Sequence, residues 1–425
     1  MKMNKILSFF FSLFFFVLTG CSYFIAKIDT PLVSDSYRKN TSKIPTYCND
    51  DKPALQQLIG TNGETQKAFQ KMLQKLNRNL DIIDHFALWS LVQIYSRPDQ
   101  SAPTARLQIL INVEGNTGYF DFFSESHEEQ YPYFFGVEWV LKKYGKKTSL
   151  ESYVQMLEKN LSKKLILGKE FSTILSLQKE KIKADPLLAA HYIRGSEILR
   201  EGETLPFFNL ADLVRHYRKF QKDQKVIVNT SLTPYNTGSK DHLADCNYDF
   251  NLYDNSIFLI DKVIPNSNIF GLTNKKSAFL AVSSQKVLPL ASLLGTPLFK
   301  GDSKVRSSAV CIMENSEKKI WAFSNQSRDP GQHLFHLIRY GLPKGNTTPE
   351  VDKLLKHSRH LFLSEPVRLI IESNRSRSDQ IENLLKLNLP IYNAEKLGNI
   401  WAYTYFQGQS NFIIDDRNNG NLTCR

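Results

Sequence analysis

The sequence predicts a protein of the α+β or mixed α/β class, with a helix-rich N-terminal region followed by a C-terminal α/β domain. Two observations support this prediction. Apolar residues recur at helical spacing through much of residues 51–220, whereas short β-branched and aromatic runs separated by turn residues dominate from residue 221 onwards. The 425 residues, 42% of them hydrophobic, are enough for two globular domains with sizeable cores.

The helix-rich domain predicted for residues 51–220 contains one strand hairpin. The segment AFQKMLQKLNRNLDIIDHFALWSLVQIY has helical apolar spacing, and helical segments rich in Lys and Glu follow from residue 134. Between them, ARLQILI and GYFDFF are separated by NVEGNT, which predicts two paired strands joined by a turn.

The α/β domain predicted for residues 221–425 alternates strand candidates with a few helical patterns. The strand candidates are KVIVNT, SIFLIDKVI, SAFLAV, SAVCIM, KIWAFS, VRLIIES, IWAYTYF and FIIDD. Two of them, KIWAFS and VRLIIES, each lead through a polar loop into an amphipathic helical segment. We therefore expect a unit of strand, loop and helix to occur twice.

The first residues, MKMNKILSFFFSLFFFVLTGC, combine a basic start, an unbroken apolar run and small residues before Cys21. This order is typical of a secretory signal peptide, and the apolar run is short for a membrane span. The residues LTGC, which end at Cys21, resemble the lipobox of bacterial lipoproteins. The resemblance covers residues 1–21 only. It implies that residues 1–20 are removed and that Cys21 becomes the acylated N-terminus.

A lipid anchor on Cys21 implies a protein of the cell envelope that contacts the membrane through this anchor. Residues 21–50 are rich in turn-forming residues and predict a tether. Ser22 resembles the pattern that enteric bacteria sort to the outer membrane, so we expect that membrane, with the protein facing the periplasm or the cell surface. The alternative is an ordinary signal peptide that leaves Cys21 free to form a disulfide.

Four cysteines remain after Cys21, namely Cys48, Cys246, Cys311 and Cys424. An even number in an oxidising compartment favours disulfides, and three pairings are possible. Cys48 and Cys424 lie near the two chain ends, where a bond would limit fraying. Cys311 lies in the apolar run SSAVCIM, so a buried free thiol is an equal alternative there. Zinc-type CxxC or Cys/His spacing is absent, which disfavours a structural zinc site.

The formal net charge is +12, and removal of the signal peptide takes away Lys2 and Lys5 but no acidic residue. In an envelope compartment the anionic partners to consider are lipid headgroups and anionic polymers. The alternative is a solvated basic surface without a dedicated partner. A nucleic-acid partner is disfavoured outside the cytoplasm, and no motif predicts a cofactor.

The two strand–loop–helix units share a loop sequence, SNQSRD at residues 324–329 and SNRSRSD at residues 373–379. Asp329 is followed three residues later by Gln332, and Asp379 three residues later by Glu382. Both spacings predict a capping box, in which the aspartate caps the helix and the later side chain reaches back. We therefore assign both aspartates to helix capping and not to catalysis.

The remaining loop residues predict an anion site made of Ser327, Arg328, Ser376 and Arg377. Free amides at a helix start favour an anion, and a hydroxyl with a guanidinium would complete a cradle. If the two strands are parallel neighbours, the four side chains converge on one crevice. The alternative, which we favour, is that the serines cap turns and the arginines lie in solvent or pair with nearby acids.

Two histidine pairs at helical spacing are candidates for a transition-metal site. They are His333 with His336, and His357 with His360. A HExxH pattern is absent, and Asp329 is already assigned to capping. We therefore favour surface or packing histidines and predict no metal.

The sequence contains no GxSxG elbow, Walker loop, GxGxxG or HxK motif. We therefore favour an envelope lipoprotein that binds or scaffolds anionic envelope partners and is not an enzyme. The alternative is a hydrolase that acts on a phosphorylated or carboxylated envelope substrate, with the Ser and Arg residues of the two loops as its anion site.

Overall fold

The computed structural model describes residues 46–48, 56–76, 79–124, 130–207, 209–234, 244–247, 267–274, 276–284, 308–315, 317–327, 329–364, 367–417 and 420–425. The predicted signal peptide, Cys21, most of the predicted tether and Arg328 lie outside these residues. The chain divides into two units. The main unit comprises Lys43–Leu252, Val263–Leu355 and Gly398–Arg425; the small unit comprises Met1–Ser42, Tyr253–Lys262 and Lys356–Leu397.

The described residues form helices and strands in a mixed α+β arrangement, as the sequence predicts. The strands are β1 Gln56–Gly60, β2 Arg106–Val113, β3 Asn116–Phe123, β4 Ile193–Arg194, β5 Glu197–Ile198, β6 Ile227–Asn229, β7 Thr233–Pro234, β8 Asp245–Asn247, β9 Ser267–Asn274, β10 Ala278–Ser284, β11 Ser308–Glu314, β12 Lys318–Asn325, β13 His360–Ser364, β14 Val367–Ile371, β15 Ile391–Asn393, β16 Asn399–Phe406, β17 Gln409–Ile413 and β18 Asn421–Cys424.

The helices in the described part of the chain are mostly short. They are α1 Gly63–Leu76, α2 Ile82–Ser96, α3 Pro132–Lys143, α4 Leu150–Asn160, α5 Lys169–Leu177, α6 Lys179–Ala184, α7 Pro186–Tyr192, α8 Leu210–Phe220, α9 Pro330–Arg339, α10 Thr348–Leu355 and α11 Ser378–Leu385. Across the described ranges, no helix is both long enough and apolar enough to cross a membrane.

Two antiparallel sheets form the centre of the main unit. The seven-stranded sheet has the order β18-β1-β9-β10-β2-β3-β6, and the six-stranded sheet has the order β17-β16-β12-β11-β8-β7. Every pair of neighbours in both sheets is antiparallel. Because side chains alternate along a strand, each sheet offers two faces that must be covered.

The two sheets pack face to face, and helices cover their outer faces. A central cluster joins apolar residues of both sheets, among them Leu110 and Leu280 of the first and Val310 and Trp321 of the second. The outer face of the seven-stranded sheet contacts the helices before β6, and that of the six-stranded sheet contacts α9 and α10. The main unit is therefore a four-layer body of helices, sheet, sheet and helices.

The composition of helix α2 matches its buried position against the seven-stranded sheet. Almost all of its residues are buried, and its sequence IIDHFALWSLVQIYS is apolar around most of the helix. Asp81 caps its start by accepting hydrogen bonds from the amides of Ile83 and Asp84, and the Asp84 carboxylate accepts from the Asp81 amide. This reciprocal capping box provides acceptors for three amides at the start of a buried helix.

The predicted hairpin is confirmed as β2 and β3, which pair in an antiparallel register from Leu107 opposite Phe122 to Val113 opposite Asn116. Its two-residue turn, Glu114-Gly115, has positive φ angles of 50° and 98°, as a tight hairpin requires. The predicted boundary near residue 220 does not separate two folded bodies. The hairpin belongs to the same sheet as β9 and β10, which lie beyond that boundary.

Two disulfides select one of the three possible pairings. Cys48 bonds Cys424, with 376 residues between them in sequence, and Cys246 bonds Cys311, with a separation of 65. Cys246 and Cys311 are cross-strand partners in β8 and β11. The buried free thiol considered for Cys311 is therefore incorrect, although the residue is fully buried.

The described part of the small unit is a three-stranded sheet with the order β13-β14-β15 and helix α11. Strands β14 and β15 are parallel, and α11 lies between them in sequence. The predicted strand–loop–helix unit does occur twice, as β12 followed by α9 and as β14 followed by α11. The two strands belong to different sheets, so they are not the parallel neighbours that a single crevice requires.

Candidate active site

The layer between the two sheets is apolar in its middle, and polar side chains follow at the end where β11 begins. The polar side chains at this end, which we call the Ser308 end, are Arg106, Gln108, Asp121, Ser267, Ser284, Ser308, Asn325 and Asn399. They continue the same strand alternation that places Leu110, Val310 and Phe323 in the central cluster. Burial of so many polar groups is costly unless they bond to one another or to a ligand.

Hydrogen bonds across the layer show that the two sheets meet at this end. The Ser308 hydroxyl donates to Oε1 of Gln108 on the opposite sheet. The Asn325 side-chain nitrogen donates to Oγ of Ser267, also on the opposite sheet, at 2.8 Å. Within the six-stranded sheet, Ser308, Asn325 and Asn399 stand in one cross-strand row.

Ser308 is the first residue of β11, and it is 2% exposed. Its hydroxyl is held by an amide oxygen, which orients it but is not a base. A serine hydroxyl is a weak nucleophile, and repeated attack on a substrate carbonyl requires a base that takes its proton. The hydroxyl is therefore positioned in the intact chain without being activated by its hydrogen-bond partner.

A buried polar network holds Gln108 in place. Its side-chain nitrogen donates to the Tyr119 hydroxyl at 3.2 Å and to the Asp121 carboxylate at 3.4 Å. Asp121 is fully buried, and the Arg106 guanidinium forms a two-point ion pair with its carboxylate. The carboxylate charge is therefore compensated by Arg106, and Gln108 presents a fixed acceptor to Ser308.

Asn325 lies directly opposite Ser308 in the register and is 1% exposed. Its side-chain nitrogen is used by Ser267, but its side-chain oxygen accepts no hydrogen bond. A buried amide oxygen without a donor costs about 1–3 kcal/mol. The site therefore contains a buried acceptor that the described residues leave unused.

The loop after β12 brings together two residues that the sequence assigns to different candidate sites. Ser327, predicted for the anion site, has its hydroxyl 2.7 Å from Nε2 of His333, a metal candidate. Gly398, at φ +59°, packs against this pair, and a Cβ there would lie 3.0 Å from the Ser327 Cβ. Glycine thus permits the close approach of β16 to the loop.

Asp329 caps α9 as predicted. Its carboxylate accepts from the Gln332 amide at 3.1 Å. The Gln332 side chain bonds the same carboxylate at 2.9 Å and so supports the cap. Burial raises the pKa of the Asp329 carboxyl above its ordinary value, and the hydrogen bonds from Gln332 oppose this rise.

The second loop differs from the first and corrects one prediction. Helix α11 begins at Ser378 with Arg377 at the cap position, and the Arg377 amide donates to the Gln380 side chain. Asp379 lies in the first turn and pairs with the exposed Arg377 side chain. The predicted Asp379 cap is therefore wrong, because the helix starts earlier than the sequence suggests.

The predicted anion site is not tested as a whole, because Arg328 lies outside the described residues. Ser327 bonds His333, as above, and Ser376 donates to the Glu372 carbonyl at 2.8 Å. Both serine hydroxyls thus have hydrogen-bond partners within the protein. Anion binding by these residues stays a prediction.

The predicted metal candidates do not gather into a recognisable metal centre. His333 and His336 lie on α9, His357 follows α10, and His360 opens β13. Burial lowers the pKa of His360 below its ordinary value. In the described part of the chain, no group of three or more His, Cys, Asp or Glu side chains is placed to hold an ion.

Sequence reasoning missed Ser308, Gln108 and Asn325. Ser308 opens the run SAVCIM, which predicted a strand and nothing more. The sequence did offer an indication. Gln108 and Ser308 are polar residues two positions before the buried Leu110 and Val310, and therefore on the same face of each strand. Such positions normally carry apolar residues.

No protein-family model and no curated protein matches the sequence. Solved structures do resemble the fold. A threonine-to-alanine variant of LmbA2991 matches with a TM-score of 0.61 and 8% identity, over 90% of this chain and all of its own. LmbA2991HD gives 0.57 and 8% over 90% of this chain and all of its own. The cephalosporin acylase from Bacillus halodurans gives 0.54 and 9% identity, over 91% of this chain and 99% of its own. At these identities the likeness establishes a shared fold.

Proposed function

We propose that this protein is an amide or ester hydrolase of the acylase type in which Ser308 is the nucleophile. The observation that carries the proposal is the position of Ser308. It is the buried first residue of a central strand, and Gln108 orients its hydroxyl. The shared fold with a cephalosporin acylase supports the hydrolase alternative of the sequence analysis over the binding or scaffolding hypothesis.

The base in this proposal is the α-amine of Ser308 itself. N-terminal nucleophiles use their own amine in this way. The other basic groups near the site are already engaged, since Asp121 is paired with Arg106 and His333 is bonded to Ser327. In the intact chain the Ser308 nitrogen is part of a peptide bond, so it becomes a base only after cleavage between residues 307 and 308.

Ser308 has the chemistry to perform this cleavage. Its oxygen adds to the carbonyl carbon of Ser307, the C–N bond breaks, and the hydroxyl proton passes to the released nitrogen. Water then hydrolyses the resulting ester, which leaves a carboxylate on Ser307 and a free amine on Ser308. The Gln108 side chain keeps the oxygen in place during the attack.

The same groups then act on the substrate. The free amine removes the hydroxyl proton as the Ser308 oxygen attacks the substrate carbonyl. The leaving amine or alcohol takes that proton, and the acyl group stays on the oxygen until water removes it. The reaction consumes one water per substrate and needs no cofactor.

Cleavage is tested on purified protein by electrophoresis and N-terminal sequencing. Both disulfides join a residue before position 308 to one after it. We therefore expect one band without reductant and two with it, the shorter fragment starting at Ser308. Ser308→Ala should remain one chain under both conditions, while Ser307→Ala should still be cleaved. An intact wild-type chain under reducing conditions would contradict the proposal.

Hydrolysis is tested with a panel of N-acyl p-nitroanilides that carry neutral, carboxylated and phosphorylated acyl groups. Ser308→Ala should lower kcat/KM at least about 10³-fold, as expected for loss of a nucleophile. Ser327→Ala tests the second serine, whose 2.7 Å contact with His333 makes it the competing nucleophile. Loss of activity in Ser327→Ala with full activity in Ser308→Ala would reverse the assignment.

We also propose that the enzyme is held in the cell envelope by acylation of Cys21, and that its substrate is anionic. The lipobox-like sequence and the net charge of +12 support these two points. Replacement of Cys21 by Ala should move the protein from the membrane pellet to the soluble fraction. Retention in the pellet would show that lipidation is not the anchor.

A further inference from the structure

Asn325 lies at the Ser308 end, and the proposed reaction gives it no role. Its side chain is almost fully buried, its nitrogen bonds Ser267 at 2.8 Å, and its oxygen accepts nothing. Ser308 is its direct cross-strand neighbour. Side chains at such positions lie about 5 Å apart at Cβ and interact.

None of the described residues donates to this oxygen, and cleavage before Ser308 would create a new donor on the neighbouring strand. A peptide nitrogen at the start of β11 has at most one hydrogen, whereas a free α-amine has two and an α-ammonium three. An amide oxygen that accepts from an ammonium group stabilises the protonated form, which sets how readily the amine gives up its proton.

We propose that Asn325 is the positioning residue for the nucleophile, and that its side-chain oxygen accepts a hydrogen bond from the α-amino group of Ser308 once the chain is cleaved. This proposal rests on the proposed function. It explains why a buried amide keeps an unused oxygen in the uncleaved chain: the oxygen is an acceptor reserved for the cleaved state.

The third residue of the cross-strand row does not have this property. Asn399 lies on the other side of Asn325 in the register, and its side-chain oxygen is not among the buried atoms of the described residues that lack a hydrogen-bond partner. Asn399 is also one strand further from Ser308. The assignment therefore falls on Asn325.

The chain offers a matched control in Asn112. This residue is also buried, at 2% exposure, its side-chain nitrogen donates to the Lys276 carbonyl at 2.9 Å, and its oxygen accepts no hydrogen bond. It lies near the opposite end of β2, next to the hairpin turn. A general effect of an unpaired asparagine would therefore appear at both positions.

The test is the pH dependence of kcat/KM for p-nitroanilide hydrolysis by the cleaved enzyme. Asn325→Ala removes the acceptor, so the amine pKa falls and the acidic limb of the profile moves to lower pH. Asn325→Asp places a carboxylate beside the ammonium, so the acidic limb moves to higher pH. We expect shifts of opposite sign, of at least about half a pH unit each, and an unchanged limb in Asn112→Ala and Asn112→Asp.

The outcomes separate the role of Asn325 from the role of Ser308. Unmoved or same-sign shifts in the two Asn325 variants would overturn the role of Asn325 while leaving Ser308 as the nucleophile. Both Asn325 variants should be cleaved, because the proposed bond forms only in the cleaved chain; failure of cleavage in either variant would overturn the role, since Asn325 would then act before the amine exists. Absence of cleavage in the wild type would overturn the proposed function and this inference together, and the gel distinguishes that case.

Discussion

The two ends of the layer between the sheets are both polar, but they are used differently. At the end opposite to Ser308, the Glu314 carboxylate accepts from the Trp321 indole and from the Thr117 hydroxyl, each at 2.7 Å. Lys319 donates to the Gly115 carbonyl at 2.6 Å. These bonds tie the β2–β3 hairpin to the β11–β12 hairpin. We call this the Glu314 end.

At the Ser308 end, β10 ends at Ser284 and β11 begins at Ser308. A hydroxyl and an unused amide oxygen lie there, supported by the Arg106–Asp121 pair. The comparison teaches that bonds between two hairpins close the layer at the Glu314 end, whereas the Ser308 end holds the groups of the proposed reaction. Substitutions at the Glu314 end should change stability alone, whereas those at the Ser308 end should also change chemistry.

The largest stability effect is expected at Asp121. Asp121→Ala leaves the mostly buried Arg106 guanidinium without its carboxylate, which should lower the free energy of unfolding by about 3–5 kcal/mol. Urea unfolding measures this. Replacing both partners, as Arg106→Met with Asp121→Leu, should recover most of the loss. A loss below about 1 kcal/mol in the single variant would show that the pair is not the support of this end.

Glu314→Ala should cost less, about 1–3 kcal/mol, because it leaves the buried Trp321 N–H without an acceptor. Cleavage at Ser308 and kcat/KM of the folded fraction should stay at wild-type values. Glu317, exposed in the same hairpin turn, is the control, and Glu317→Ala should stay within about 0.5 kcal/mol of wild type. Loss of cleavage in Glu314→Ala at a temperature where it remains folded would break the division between the two ends.

Asp329 lies in the loop that leaves the Ser308 end after β12, and its capping role should be worth about 1 kcal/mol. Asp329→Ala should lose this amount in urea unfolding at pH 7. Asp379→Ala, in the second copy of the loop, should leave stability unchanged, because Asp379 and its partner Arg377 are exposed. Equal losses in the two variants would mean that both aspartates act as caps.

The smallest effect is the pH dependence of the Asp329→Asn variant. Burial raises the folded-state pKa of Asp329 above its ordinary value, so the extra stability that comes from its protonated form is complete at low pH and is lost as the pH rises through the folded pKa, while the cap itself remains. The asparagine does not titrate. Its stability relative to wild type should therefore increase from pH 3 to pH 7. A relative decrease over that range would show that the carboxylate is the favoured form.

Local sequence patterns predicted the elements that short-range interactions determine. The β2–β3 hairpin follows from alternating apolar runs around Glu114-Gly115, and the Asp329 cap follows from its spacing to Gln332. The second cap failed because Arg377, Ser378 and Asp379 form a polar run in which several residues can start a helix. The sequence pattern locates the start of a helix to within a few residues, but it does not identify the first helical residue.

The two copies of the loop sequence likewise show how context decides a residue's role. Ser327 is buried against an imidazole of its own helix, whereas Ser376 bonds a backbone carbonyl of its own turn. Both loops read alike in sequence because the same residues suit any strand-to-helix connection. The repeated pattern identified a folding unit and gave no information about which copy lies near reactive groups.

By itself the sequence determined the element types, the repeated strand–loop–helix unit, the basic charge, and the lipobox-like start that predicts the compartment. Only the tertiary structure decided the disulfide pairing and the candidate site. Ser308 and Gln108 are 200 residues apart in sequence, and Asn325 and Ser267 are 58 apart. Their contacts arise because two sheets pack face to face. That packing depends on the summed burial of apolar faces, which no local pattern records.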